Sequence, residues 1–107
     1  MRREHAVVIG ASMAGLLAAR VLSDHFTRVT VIERDPLPHA ESFRAGVPQS
    51  RHTHGLLARG ACILNTLFPD FERDLDERNI PHTEWLQDTI QLLPSGWTPR
   101  FRSGLFS

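Results

Sequence analysis

The chain of 107 residues has no lysine and no tyrosine, and all twelve of its basic residues are arginine. Without lysine there is no Schiff-base chemistry and no lysine-tipped phosphate loop. A single cysteine, Cys62, excludes an internal disulfide framework and a cysteine-based zinc site. Charge of either sign is not in excess, because twelve acidic residues balance the twelve arginines. That balance speaks against nucleic-acid partners and against an acidic solvating tail. No run of 18 apolar residues exists, so no transmembrane helix is expected. Internal repeats and low-complexity tracts are absent too. What remains is an ordinary globular composition, 41% hydrophobic and 22% charged. The length suits one domain, which would bury roughly two-thirds of its unfolded surface.

The start imitates a leader. Met1-Arg2-Arg3-Glu4 precedes an apolar run from Ala6 to Ala19, with small residues at its end. Gly10, Ser12 and Gly15 interrupt the run, and no polar cleavage region follows. We expect no leader and a cytoplasmic chain.

The same residues make a better strand, turn and helix. Val7, Val8 and Ile9 form a continuous apolar run, as in a strand buried on both faces of a parallel sheet. Gly10-Ala11-Ser12-Met13-Ala14-Gly15 follows, a G-x-S-x-x-G version of the dinucleotide fingerprint. Apolar residues from Leu16 to Phe26 then recur at helical spacing, predicting a helix to about His25. A second strand is predicted over Arg28 to Glu33, with Ile32 buried and Glu33 eighteen residues after Gly15. Each position has a physical task. Gly10 permits the tight turn, small Ser12 lets backbone approach a pyrophosphate, and Gly15 allows close helix–strand packing. The helix N-terminus offers unpaired N–H groups and about half a positive charge. Glu33 can accept from a ribose diol and disfavours a 2′-phosphate, so NADP is not expected. The competing reading is a βαβ unit whose glycines serve packing alone.

With these residues in view, the chain resembles the start of FAD-dependent oxidoreductases of the aromatic-ring hydroxylase type, flavoprotein monooxygenases with a p-hydroxybenzoate hydroxylase-like fold. Val7 to Leu16 and Val31-Ile32-Glu33-Arg34-Asp35 carry the resemblance. So do Gly46-Val47-Pro48-Gln49-Ser50-Arg51-His52-Thr53-His54-Gly55-Leu56-Leu57 and Gly96-Trp97-Thr98-Pro99-Arg100-Phe101. The resemblance implies FAD, with NAD as the alternative. It places Gly10, Ala11, Ser12, Met13, Ala14 and Gly15 around the pyrophosphate, Glu33 at the adenosine ribose and Arg34 along the adenine. Arg51 would make a phosphate or ribityl contact, and no catalytic residue can be named.

The middle of the chain is less informative. Asp35 to Arg51 has no apolar period and contains Pro36, Pro38, Gly46 and Pro48, so it reads as a long connection, either cofactor-facing or plain surface. His52 and His54, even with His39 or His82, lack neighbouring acidic or thiol ligands, and we expect no metal. A second helix is predicted from about Thr53 to Phe68, ended by Pro69, with Asp70 capping the next turn. Cys62 lies near its apolar stripe and reads as an inert core residue. Phe71 to Arg78 reads as a solvated helix face with pairs such as Asp74–Arg78. Pro94-Ser95-Gly96 marks a hairpin between two runs, with Ile90, Leu92 and Trp97 facing a core or a ligand. Trp85, Trp97 and Phe101 are either packing or a substrate wall, and Arg100 and Arg102 face solvent.

The expected fold class is α/β: a Rossmann-like βαβ FAD-binding unit with a following helix and the start of a β-rich substrate-domain hairpin, incomplete. Residues 1–80 would form the partial FAD-binding domain and residues 81–107 the start of the substrate-binding sheet. The resemblance implies an organic small-molecule substrate and NAD(P)H as reductant in a complete enzyme. This chain would be its N-terminal piece, inactive alone or completed by a second chain. The alternatives are a non-catalytic adenine-dinucleotide module and a gene remnant.

Overall fold

Branched and apolar residues at both ends of a helical segment build the first structural unit. The computed structural model describes residues 1, 3–37 and 42–104. Arg2 of the leader-like start, Pro38 of the connection and His39 of the histidine set lie outside the described residues. Contacts divide the chain into two compact units, residues 1–53 and 54–107. The functional boundary expected after residue 80 lies within the second of them.

In the first unit, strand β1 (Arg3–Ile9) pairs in parallel with β2 (Phe26–Ile32). The register runs from Arg3↔Phe26 to Ile9↔Ile32. Parallel neighbours need a long crossover, and helix α1 (Met13–Leu22) supplies it. The helix ends three residues before the expected His25. Its C-cap Ser23 turns its hydroxyl back to the Arg20 carbonyl, and Arg20 pairs with Asp24 at 2.9 Å. Strand β2 begins two residues earlier than predicted, at Phe26, so His25 and Thr27 fall on either side of its start.

Within the described residues of this unit, α1 covers one sheet face. Val8 is buried, and Ala6, Val29 and Val31, on the same face, are half-buried. Val7 and Ile32 are about half exposed and Ile9 is 86% exposed. The burial on both faces expected for Val7, Ile9 and Ile32 is therefore not realised. Strand residues alternate sides, and within this unit α1 packs against one side.

After β2 the connection closes into a short 3-10 helix, Pro48–Arg51, with proline at its first position. The second unit then starts in extended backbone, and α2 runs over Ala58–Leu67 rather than from Thr53. Gly55 would cost a helix about 1 kcal/mol relative to alanine, and Leu57 takes the N-cap position. Leu64 is the buried residue of α2, and Leu56 folds onto Gly60, where an added Cβ would stand 2.9 Å from its Cδ1. Phe68 is extended, as the residue before Pro69 should be, and ends the helix.

Helix α3 (Phe71–Glu77) starts at Asp70 as expected, but the Asp70 side chain makes no cap and pairs with Arg73 at 2.9 Å instead. Arg73 also lies 3.6 Å from Glu77 and 3.8 Å from Asp74. These groups are exposed and contribute little to stability. The helix stops in a Schellman arrangement. Asn79 has φ 54°, its N–H donates to the Asp76 carbonyl, and the Ile80 N–H donates to Leu75, both at 3.0 Å.

Two departures follow downstream. Residues Trp85–Asp88 form a short helix, α4, inside the run expected to lead into the hairpin. Strands β3 (Leu92–Leu93) and β4 (Gly96–Trp97) pair antiparallel around Pro94-Ser95, with Gly96 at φ 114°. Of the two expectations for Ile90, Leu92 and Trp97, a core or a ligand, their exposure removes the first, and Trp85 and Phe101 are exposed as well. A two-rung hairpin has too little surface to bury them by itself.

Glu84 organises this end of the chain. It is buried, caps α4 by accepting from the Gln87 N–H at 2.7 Å, and its own N–H donates to the Asp88 carboxylate at 2.8 Å. Its Oε1 also accepts from the Ser103 hydroxyl, the Ser103 N–H at 2.6 Å and the Gly104 N–H at 2.8 Å. The Ser103 hydroxyl, ahead of the Gln87 and Ser103 N–H groups, holds its pKa down at about 2 against the opposing effect of burial.

Candidate functional site

Chemistry gathers where β1 and β2 end. Gly10 leaves β1 at φ +95°, a conformation that favours glycine, and its N–H donates to the Ile32 carbonyl at 2.7 Å. Ser12 then takes the N-cap of α1 with extended backbone, and its carbonyl accepts the Leu16 N–H at 2.9 Å. The Ser12 hydroxyl makes no capping bond. Amides of the first helical turn have no acceptor one turn back, so the Met13 to Gly15 end presents N–H groups and the positive end of the helix. Gly15 has a different task. A Cβ there would stand 1.9 Å from the Gly10 carbonyl oxygen and 3.6 Å from Val8 Cγ1. Only a hydrogen fits, so the helix presses directly on the turn.

Glu33 sits just past β2 and reaches back to that turn. Its Oε2 accepts the Ala11 N–H at 2.6 Å and its Oε1 accepts the Asp35 N–H at 2.9 Å. The Asp35 and Ala11 N–H groups, Asp35 first, and more weakly the Arg34 N–H hold its carboxyl below its ordinary value. The Arg44 charge adds to them, and burial works the other way. Arg44 lies 3.6 Å from Oε2 and donates to the Ala11 carbonyl at 2.9 Å. Asp35 in turn accepts the Gly46 N–H at 2.7 Å.

A cleft of about 430 Å³ opens between these parts. Gly10 and Ser12 line one side, Glu33, Arg34 and Asp35 the β2 tip, and Gly46 and Val47 the third wall. The volume falls in the range of small-molecule sites, about 300–1,000 Å³. An added Cβ at Gly10 would meet nothing within 4 Å, so backbone is open there to close approach. Glu33 offers about four lone-pair positions, and the Ala11, Asp35 and Arg34 N–H groups do not fill all of them. A helix N-terminus for diphosphate and a carboxylate for a diol fit the ADP part of a dinucleotide.

Residues 8–70 match the family model of the NAD(P)-binding Rossmann-like domain. The chain belongs to that family. It is also 53% identical over 94 residues to protein Rv3254 of Mycobacterium tuberculosis. The match covers 88% of this chain and 20% of that protein, so the chain spans about one fifth of its relative's length.

Within the Rossmann-like unit, the expected cofactor residues divide by position. Gly10, Ser12, Glu33 and Arg34 line the cleft. Arg34 is 82% exposed and 3.8 Å from Asp35. Ala11 is buried, and its N–H is committed to Glu33. Met13 and Ala14 are exposed on the first turn of α1, and Gly15 is a packing position. Arg51 stands apart from the cleft lining, its guanidinium 5.2 Å over the Phe43 ring. Arg44 has no motif to announce it, and Asp35 and Gly46 lie in the segments that carry the resemblance but were given no role there. Arg44 reaches Ala11 across 33 positions of sequence, from a loop without periodicity.

Elsewhere the placement is plain. His52 ends the 3-10 helix, while His54 lines a separate hollow of about 320 Å³ in the second unit, with Leu75, Ile80 and His82. His82 pairs with Asp76 at 2.9 Å. Among the described residues, no three His, Cys, Asp or Glu side chains gather as a metal site. Cys62 is exposed rather than in the core, because it lies off the Leu64 face of α2. No helix among the described residues is long and apolar enough to cross a membrane.

Proposed function

We propose that this chain holds the ADP part of FAD and is the nucleotide-binding portion of an FAD-dependent oxidoreductase of the monooxygenase type. The observation that carries the reading is the cleft, which brings the Gly10–Ser12 turn and the start of α1 opposite Glu33. The diphosphate would lie against Gly10, Ser12 and the first-turn N–H groups, and the ribose against Glu33. Lacking lysine, the site neutralises phosphate with backbone N–H groups and arginine alone. When bound, the flavin supplies the electron transfer that activates oxygen toward an organic substrate. The residues of this chain contribute binding and orientation, and none stands as a proton-transferring group in the cleft. Turnover therefore requires further polypeptide, with NAD(P)H as the reductant.

The family description favours a second reading, in which the same cleft takes NAD and acts as a binding module without catalysis. Calorimetric titration of the 107-residue chain with FAD, NAD and NADP separates the two. We expect FAD to bind more tightly than NAD, and NADP to bind least because Glu33 opposes the 2′-phosphate. A preference for NAD over FAD would favour the module, and no binding of any dinucleotide would refute both.

A further inference from the structure

Arg44 occupies a place that a loop arginine does not ordinarily reach. Its side chain is 15% exposed, and its Nη2 donates to the Ala11 carbonyl at 2.9 Å. Its Nη1 is buried 3.6 Å from Glu33 Oε2 and makes no hydrogen bond. The same Glu33 oxygen accepts the Ala11 N–H at 2.6 Å. Both backbone groups of Ala11 are therefore held, one by the carboxylate and the other by the guanidinium, and the two side chains attract each other. The result is a closed bracket of Ala11, Glu33 and Arg44 around the glycine turn. Two residues on, the Gly46 N–H fastens the segment to Asp35, where an added Cβ would stand 2.6 Å from the carboxylate oxygen. The bracket engages Oε2, Oε1 accepts the Asp35 N–H, and the Arg34 N–H also bonds this carboxylate, so the group is held in place with at least one lone pair still open.

We propose that Arg44 is the positioning residue of the ribose site: it holds Glu33 against Ala11, so that the carboxylate stays in place to receive the ribose diol of an adenine nucleotide. The proposal rests on the nucleotide reading above. Arg44 does not line the cleft and acts through Glu33. A planar guanidinium suits this role because it reaches a carbonyl and a carboxylate at once with fixed geometry, which an ammonium group cannot copy.

The test compares ADP with 2′,3′-dideoxy-ADP by calorimetry on the whole chain, for the parent protein, Arg44→Met and Arg44→Lys. The ratio of the two affinities reads the diol contact alone. We expect the parent to prefer ADP about tenfold or more, as for hydrogen bonds to a charged acceptor. Arg44→Met should bring the ratio to about twofold or less, and Arg44→Lys should restore part of it. A merely structural role would weaken both ligands equally and leave the ratio unchanged, which overturns the proposal. Loss of the helical circular-dichroism signal in both variants also overturns it, because Arg44 would then be a folding residue. If the parent protein binds neither nucleotide, the nucleotide reading itself fails, an outcome distinct from an unchanged ratio.

Discussion

Replacing Gly15 with alanine adds one methyl group where the structure has no space. The new Cβ would stand 1.9 Å from the Gly10 carbonyl oxygen and 2.9 Å from its carbon. Ordinary contact between carbon atoms needs about 3.5–4.0 Å, and a carbon–oxygen contact is only slightly shorter, so α1 or the turn must move by about 1.5 Å. The obstacle is backbone, held by the Gly10 N–H bond to Ile32, and cannot rotate away. Overpacking costs about 1–3 kcal/mol, and a rigid obstacle puts this case at the upper end. Alanine recovers about 1 kcal/mol through its helix propensity, leaving a net loss of about 2 kcal/mol or more. For a domain of this size each kcal/mol moves the melting temperature by roughly 4–8 °C, so the expected drop is about 8–16 °C. Urea and thermal denaturation followed by circular dichroism measure it, with Gly55→Ala as the control. Gly55 has nothing within 4 Å of an added Cβ, so that variant should match the parent or gain about 0.4–1 kcal/mol. If Gly15→Ala melts within about 0.5 kcal/mol of the parent, the close helix–turn packing is wrong, and the site built on it goes too.

Two further expectations concern the second unit. Glu84 has its folded pKa lowered to about 2 from an ordinary 4.5, so the unfolded chain takes up its proton first as the solution is acidified. Its contribution to stability is present above pH 4.5 and is lost as the pH falls toward 2, and Glu84→Gln should remove that part of the acid dependence. Denaturation midpoints measured across this interval decide it, and identical pH profiles for both proteins would count against the buried clasp. At Asn79, with φ 54°, valine should destabilise the chain by about 1–2 kcal/mol and glycine should not, as read by urea melts. Equal loss in both variants would contradict the left-handed helix end.

Much of the first unit could be read before any coordinates. Val7 to Gly10, the amphipathic run after Ser12 and the β-branched stretch ending at Glu33 are local signals, and local propensity decided them. The role of Gly15 was legible because the fingerprint itself encodes a steric requirement. The second unit was harder. Its α2 starts five residues after the expected Thr53, because the stripe including Leu56 and Leu57 continues through non-helical backbone, where periodicity cannot distinguish packing from helix. The helix over Trp85–Asp88 is held by Glu84, whose partners lie up to 20 positions away, beyond any local pattern. Cys62 is exposed and not in the core because hydrophobicity states a preference for burial, not whether a neighbour is there to provide it.

The division between the two sources of information follows the range of the interactions. Strand, turn, helix and acidic tip arise from contacts among near neighbours, so their order and chemistry stand in the amino-acid sequence. Whether Ala11 keeps its N–H for a ligand, which groups hold Glu33, and which face of the β1–β2 sheet is covered depend on residues far apart in the chain. Arg44 is the clearest case. In sequence it is one arginine of twelve in a loop, and only folding puts its guanidinium beside both Ala11 and Glu33.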